Sequence, residues 1–166
     1  MQKPYTFVRT NIVLTNMTIE DKIKSGAQLS LQKKTILNIL YTQNMLSEKF
    51  AEVLKPFDVS VEQFNVLRIL RGQKGKPANM CLIQERMIAK TSNTTRLVDK
   101  LLVKQFVTRD VCADNRRKME VLITDKGLAL LTALDPAIEK HEANLTDRLT
   151  EPELQQLNIL LDKFRN

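Results

Sequence analysis

Residues 91–127 read TSNTTRLVDKLLVKQFVTRDVCADNRRKMEVLITDKG, and two structural periods meet inside them. Up to Gln105, the apolar residues Leu97, Val98, Leu101 and Leu102 recur at helical spacing. Beyond it, VTRDVCAD (107–114) and KMEVLIT (118–124) are strand-like runs rich in β-branched residues, with the polar Asp114-Asn115-Arg116-Arg117 between them. The pattern predicts a β-hairpin with a basic tip. Upstream, Asn79 to Ile88 is a second short helical run, joined to Thr91–Gln105 through Ala89-Lys90-Thr91. Helix, turn, helix and then a basic hairpin is the winged-helix arrangement.

The flanks are helical as well. From Leu31 to Leu54 no Gly or Pro interrupts a helical apolar pattern, which predicts a helix of about 22 residues, roughly 33 Å long. Pro56 should stop it, because the residue before a proline avoids the helical region. Ser60 and Gln63 stand at capping-box spacing ahead of a run with apolar residues on two sides, which ends at Arg71-Gly72. GQKGKPA (72–78) is a turn-rich linker. Thr124 caps a helix beginning TDKGLALLTAL, which Pro136 is expected to kink or divide. Thr150 and Glu153 form a second capping box, with Pro152 in the first turn of a last helix carrying Leu154, Leu157, Ile159, Leu160, Leu161 and Phe164.

The class is thus mainly α with a small β-wing. At 166 residues, 43% apolar and 27% charged, the chain has the composition of one globular domain. No apolar stretch approaches the ~18 residues needed to span a membrane, and Arg9, Thr10 and Asn11 break any signal-peptide core. Cys81 and Cys112 lack zinc-ligand spacing, and a cytoplasmic, reduced setting is expected, with no metal or cofactor. Charge is uneven. Residues 86–118 hold nine basic against three acidic side chains, a net of +6 in a chain whose total is +7, whereas residues 119–166 carry a net of −4. Local positive density of this kind attracts a polyanion.

On a helical projection of 92–104, the apolar residues form one face and Ser92, Arg96, Asp99 and Lys100 the opposite one, with Asn93 and Thr95 at its margins. In a helix-turn-helix, the first residues of the second helix meet base edges in the major groove. Asn suits adenine and Arg suits guanine. Asp99 is expected to orient Arg96 or Lys100, and Val103 also points outward without an evident role. At the hairpin tip, Arg116, Arg117 and Lys118 are placed to enter a minor groove, with Asp114 able to hold Arg116 extended. The candidate DNA-binding set is Lys90, Thr91, Ser92, Asn93, Thr95, Arg96, Lys100, Asp114, Arg116, Arg117 and Lys118.

The same stretch resembles the MarR-type (multiple antibiotic resistance regulator) winged-helix repressors, whose pattern runs roughly TRLVDxLxxxGLVxR, then DxR, then LTxxG. Thr95-Arg96-Leu97-Val98-Asp99, Val107-Thr108-Arg109, Asp114-Asn115-Arg116 and Ile123-Thr124-Asp125-Lys126-Gly127 carry the match, and LTEPELQQLNILLDKF (149–164) is similar to that family's last helix. The resemblance implies a homodimer on a pseudo-palindromic operator and a repressor, with Arg116 as the minor-groove arginine and Asp114 as its partner. It also implies a possible small-molecule effector, for which Tyr41, Phe50, Phe64 and the methionines are candidate lining, although core packing is the simpler reading of each. The organisation that follows is an N-terminal extension, 1–28, and a MarR-like domain, 29–166, with a DNA-binding lobe at 57–123 and dimerisation helices at 29–56 and 124–166. The segment before Met17 has no counterpart and reads as an added arm, a tag or a misplaced start. One departure concerns the fold: Gln105 stands where the family has Gly, so the helix–strand turn is expected to differ.

Other readings stay open beside this one. Cys81, expected to be a packed thiol, and Cys112 allow a redox-responsive regulator of the same fold; a non-regulatory DNA-binding protein is a further alternative. Catalysis has little to stand on: His141 is expected on a solvated helix surface, and no nucleophile or phosphate-binding motif occurs.

Overall fold

A computed structural model describes residues 17–89, 93–112 and 115–166, the side chains of 112 and 115–118 excepted. The chain forms two compact units, divided between Met45 and Leu46. In the first, α1 (Ile19–Lys22) is a single turn closed by a capping box in which the Thr18 N–H and hydroxyl donate to Asp21 at 2.7 and 2.8 Å. Lys34 pairs with Glu20 at 3.0 Å. The long helix α2 spans Leu31–Leu54, 24 residues, and contributes to both units. Lys55–Phe57 then tightens into a 3₁₀ turn containing Pro56, and Asp58 takes a left-handed φ of 54°.

The second unit is built on α3 (Val61–Arg71). Its Ser60–Gln63 capping box is formed, and Phe64, Val66, Leu67 and Leu70 are buried in the core. Strands β1 (Ala78–Asn79), β2 (Val107–Cys112) and β3 (Asn115–Ile123) make an antiparallel sheet in the order β1-β3-β2. Helices α4 (Met80–Arg86) and α5 (Thr94–Val103) add Ile83, Val98 and Leu101 to the core, and α6 (Asp125–Thr146) adds Leu131, Leu134 and Ile138. A bidentate pair, Arg71 Nη1 and Nη2 on the Asp135 carboxylate at 2.7–3.0 Å, ties the end of α3 to α6. The last helix, α7 (Glu151–Arg165), starts at a box in which the Thr150 N–H and hydroxyl donate to Glu153 at 2.8 Å. Those bonds hold the Glu153 carboxyl below the usual carboxylate range.

Three details depart from the sequence reading. Both helices of the helix-turn-helix are shorter than the apolar pattern suggests. Asn79 caps α4 by accepting the Leu82 N–H at 2.9 Å, and Met87 is already extended, with ψ 135°. Pro136 does not divide α6: Pro136 and Thr132, whose carbonyl loses its helical donor to the proline, are both exposed residues, and buried Leu131, Leu134 and Ile138 anchor the helix on both sides.

The turn after α5 also keeps the geometry that a glycine would favour. Gln105 adopts a left-handed φ of 63°. Its N–H reaches Leu102 O at 2.9 Å and the Phe106 N–H reaches Leu101 O at 3.0 Å, the two bonds of a Schellman cap. The conformation is held from outside. Thr124 Oγ1 donates to Gln105 O at 2.8 Å, and Lys126 Nζ donates to Lys104 O at 3.0 Å. Since a non-glycine residue pays about 1 kcal/mol to be left-handed, Gln105→Gly is expected to raise stability by up to about that amount, read in a urea melt.

Candidate nucleic-acid interface

Helix α5 divides as the projection requires. Thr94, Val98 and Leu101 are buried and Leu97 and Leu102 pack beside them, while Asn93, Thr95, Arg96, Lys100 and Val103 are exposed. The apolar half fixes the helix against α3 and α4, and its first turn is left presenting an amide, a hydroxyl and a guanidinium. These are the donors and acceptors that base edges and phosphates engage. Lys90, Thr91, Ser92 and Asp114 lie outside the described residues. Arg116, Arg117 and Lys118 belong to strand β3 by their backbone, not to a loop tip, and their side chains are likewise outside the description. They fall where the ladder is irregular, between the Val111–Met119 and Cys112–Asn115 pairs.

Two basic residues in the charge-dense stretch are occupied by carboxylates. Arg109 Nη1 donates to Asp99 Oδ1 at 2.7 Å, so the partner of Asp99 is neither Arg96 nor Lys100. Strand alternation was the signal for this: Val107 is buried, and Arg109, two residues on, shares its face towards α5. Lys104 pairs with Asp58 at 2.9 Å, which ties the end of α5 to the start of α3.

Other candidates are relocated. Cys81 is exposed, not packed, and the side chain of Cys112 lies outside the description. His141 is turned inwards: its ring stands edge-on to Phe50 at 5.8 Å, with Nε2 buried. Phe50 also packs on Phe64 at 5.7 Å, so these rings are core, while Tyr41 is exposed. A groove of about 790 Å³ runs beside α5, lined by Glu48 and Glu52 near the end of α2, by Lys55 and Asp58 in and after the 3₁₀ turn, and by Lys100 and Lys104, and none of the suggested aromatics faces it. Among the described residues, no cluster of His, Cys, Asp and Glu is arranged for a metal, and no helix is long and apolar enough to cross a membrane.

Residues 59–119, which hold α3 and nearly the whole of this surface, match the MarR family model. The lobe is a MarR-family winged helix. The MarR fold extends beyond the lobe. A MarR transcription factor from Planctomyces limnophilus is 29% identical, with a TM-score of 0.65 over 82% of this chain and 98% of that one. A protein described as a MarR-like transcription regulator from Bacillus cereus is 22% identical, with a TM-score of 0.73 over 81% and 95%. A mutant MarR from E. coli, complexed with operator DNA, is 23% identical, with a TM-score of 0.72 over 83% and 99%. The chain thus has the fold of the MarR-family transcriptional regulators, mainly helical with a small three-stranded wing sheet.

Proposed function

We propose that this protein is a sequence-specific double-stranded DNA-binding repressor, acting as a homodimer on a pseudo-palindromic operator. The observation that carries the proposal is the exposed face of α5, with Asn93, Thr95, Arg96 and Lys100 together on a helix whose other side is core. In this reading Lys90, Thr91 and Ser92 extend that face, and Arg116, Arg117 and Lys118, with Asp114 orienting Arg116, form the wing contact. The net charge of +6 over 86–118 supplies the attraction to phosphate. The E. coli relative complexed with operator DNA supports duplex DNA as the partner.

Exposed apolar side chains support the homodimer. Leu157, Leu160 and Phe164 are 44–59% exposed along one face of α7, and in α2 Leu31, Ile36 and Leu40 are 49–77% exposed. Apolar stripes of this size are costly in water and suit a second copy of the chain. The dimer would set two α5 helices about one helical turn of DNA apart. Release by a small molecule belongs to the same proposal: the groove has the volume for one, and Lys100 serves both groove and reading face, so an occupant would compete with DNA for it.

A gel shift on the DNA flanking the protein's own gene tests the reading. Binding should weaken steeply with salt, the log–log slope changing by about −0.9 for each phosphate neutralised. A flat slope, or equal affinity for every duplex, would contradict it. The exposed thiol of Cys81 favours the redox-responsive variant as a second reading. That variant requires peroxide to change DNA affinity, and unchanged binding would end it.

A further inference from the structure

We propose that Asp99 is a positioning residue: through Arg109 it fixes the angle between the DNA-reading helix and the wing, so that both meet one duplex. The inference rests on the DNA-binding reading above and assigns a role to a side chain outside the candidate DNA-binding set. The pair is close, at 2.7 Å, and half-shielded, with Arg109 32% and Asp99 48% exposed.

Its place in the fold gives it leverage. Helix α5 and strand β2 diverge from the Schellman turn at Lys104–Phe106. Asp99 lies about 7 Å up the helix from that turn and Arg109 about 10 Å along the strand. Their ion pair closes a triangle across the angle. Strand β1 backs only two rungs of the wing, opposite Val121 and Glu120, which pair with Arg109 and Asp110. Outward of those rungs the wing is a two-stranded ribbon with an irregular register after Val111. Two-stranded ribbons are marginal on their own, so the strut stands at the edge of what the third strand supports. A pivot of about 10° at the turn would carry the end of β2, roughly 20 Å away, through about 3.5 Å. That is more than half the ~6 Å width of a minor groove.

Electrostatics alone makes the opposite prediction. Removing the Asp99 carboxylate leaves Arg109 uncompensated and makes this side of the lobe more positive, which should tighten binding to any polyanion. A positioning role requires weaker binding instead.

The test uses the full-length protein, a labelled duplex of the DNA flanking its own gene, fluorescence anisotropy over a salt series, and a thermal melt of each variant. Asp99→Asn and Arg109→Gln should each weaken binding about tenfold, and the charge-swapped pair, Asp99→Arg with Arg109→Asp, should return to within about threefold of the parent. Both single variants should also show a shallower salt slope, by about 0.9 for each phosphate that the wing no longer neutralises. Tighter or unchanged binding by Asp99→Asn, or a swap no better than either single variant, would overturn the proposal. So would single variants that melt early yet keep the parental slope, since that marks a strut for stability alone. Failure of the underlying DNA reading is seen separately, in a parent protein that binds no duplex.

Discussion

Gly127→Ala is expected to melt about 6–12 °C below the parent protein, a loss of about 3 kcal/mol. A Cβ at this position would stand 2.3 Å from the Phe106 carbonyl oxygen and 2.8 Å from Ile123 Cγ1. Neither neighbour can retreat cheaply. Phe106 O accepts the Thr124 N–H at 3.0 Å, and the Phe106 N–H completes the cap of α5. Helix propensity favours alanine over glycine by only about 1 kcal/mol, so the clash decides the sign. The last glycine of the LTxxG-like segment is therefore a packing requirement, the place where α6 crosses close against the root of the wing. A melting temperature equal to or above the parent's would refute this account of the turn.

The second large effect is on DNA. Arg96→Ala and Arg116→Ala should each weaken operator binding about tenfold or more, since a good base or groove contact by arginine is worth about 1–3 kcal/mol. In the proposed reading they address different grooves, so the losses should multiply in the double variant. Arg96 is exposed and its removal should leave the melting temperature unchanged. Lys104→Ala is the contrasting control: its ammonium is held by Asp58, so it should cost far less affinity than Lys100→Ala. Equal losses at Lys100 and Lys104 would mean that total charge, not placement, governs binding.

Much of this architecture could be read from residues alone, for reasons that differ by element. The long helix carries an unbroken apolar pattern ended by Pro56, and its bounds, Leu31–Leu54, come directly from that pattern. The Ser60 and Thr150 capping boxes are equally legible, because each places particular residue types at fixed spacing, and so are the two wing strands, except that β3 begins at Asn115, inside the polar stretch that reads as the tip. Two-residue β1 shows no period, and its existence depends on β3 lying beside it. Gln105 misleads because residue type indicates what a left-handed turn costs, not whether Thr124 and Lys126 will hold it there. In the interface, the helical projection separated the exposed from the buried face of α5 but could not choose a partner for Asp99. That choice depends on the angle between a helix and a strand, which is a tertiary property. Cys81 and His141 were misplaced for a similar reason: short polar or weakly polar residues on a helix flank follow whatever packs beside them.

The central claim is that the exposed face of α5 and the wing, in two copies, grip successive grooves of one duplex. A hydroxyl-radical footprint on the DNA flanking the gene tests it most directly. The account predicts two protected half-sites about one helical turn apart, with flanking minor-groove protection that disappears in Arg116→Ala while the central protection stays. A single unpaired footprint, or protection unchanged by loss of both Arg96 and Arg116, would contradict it.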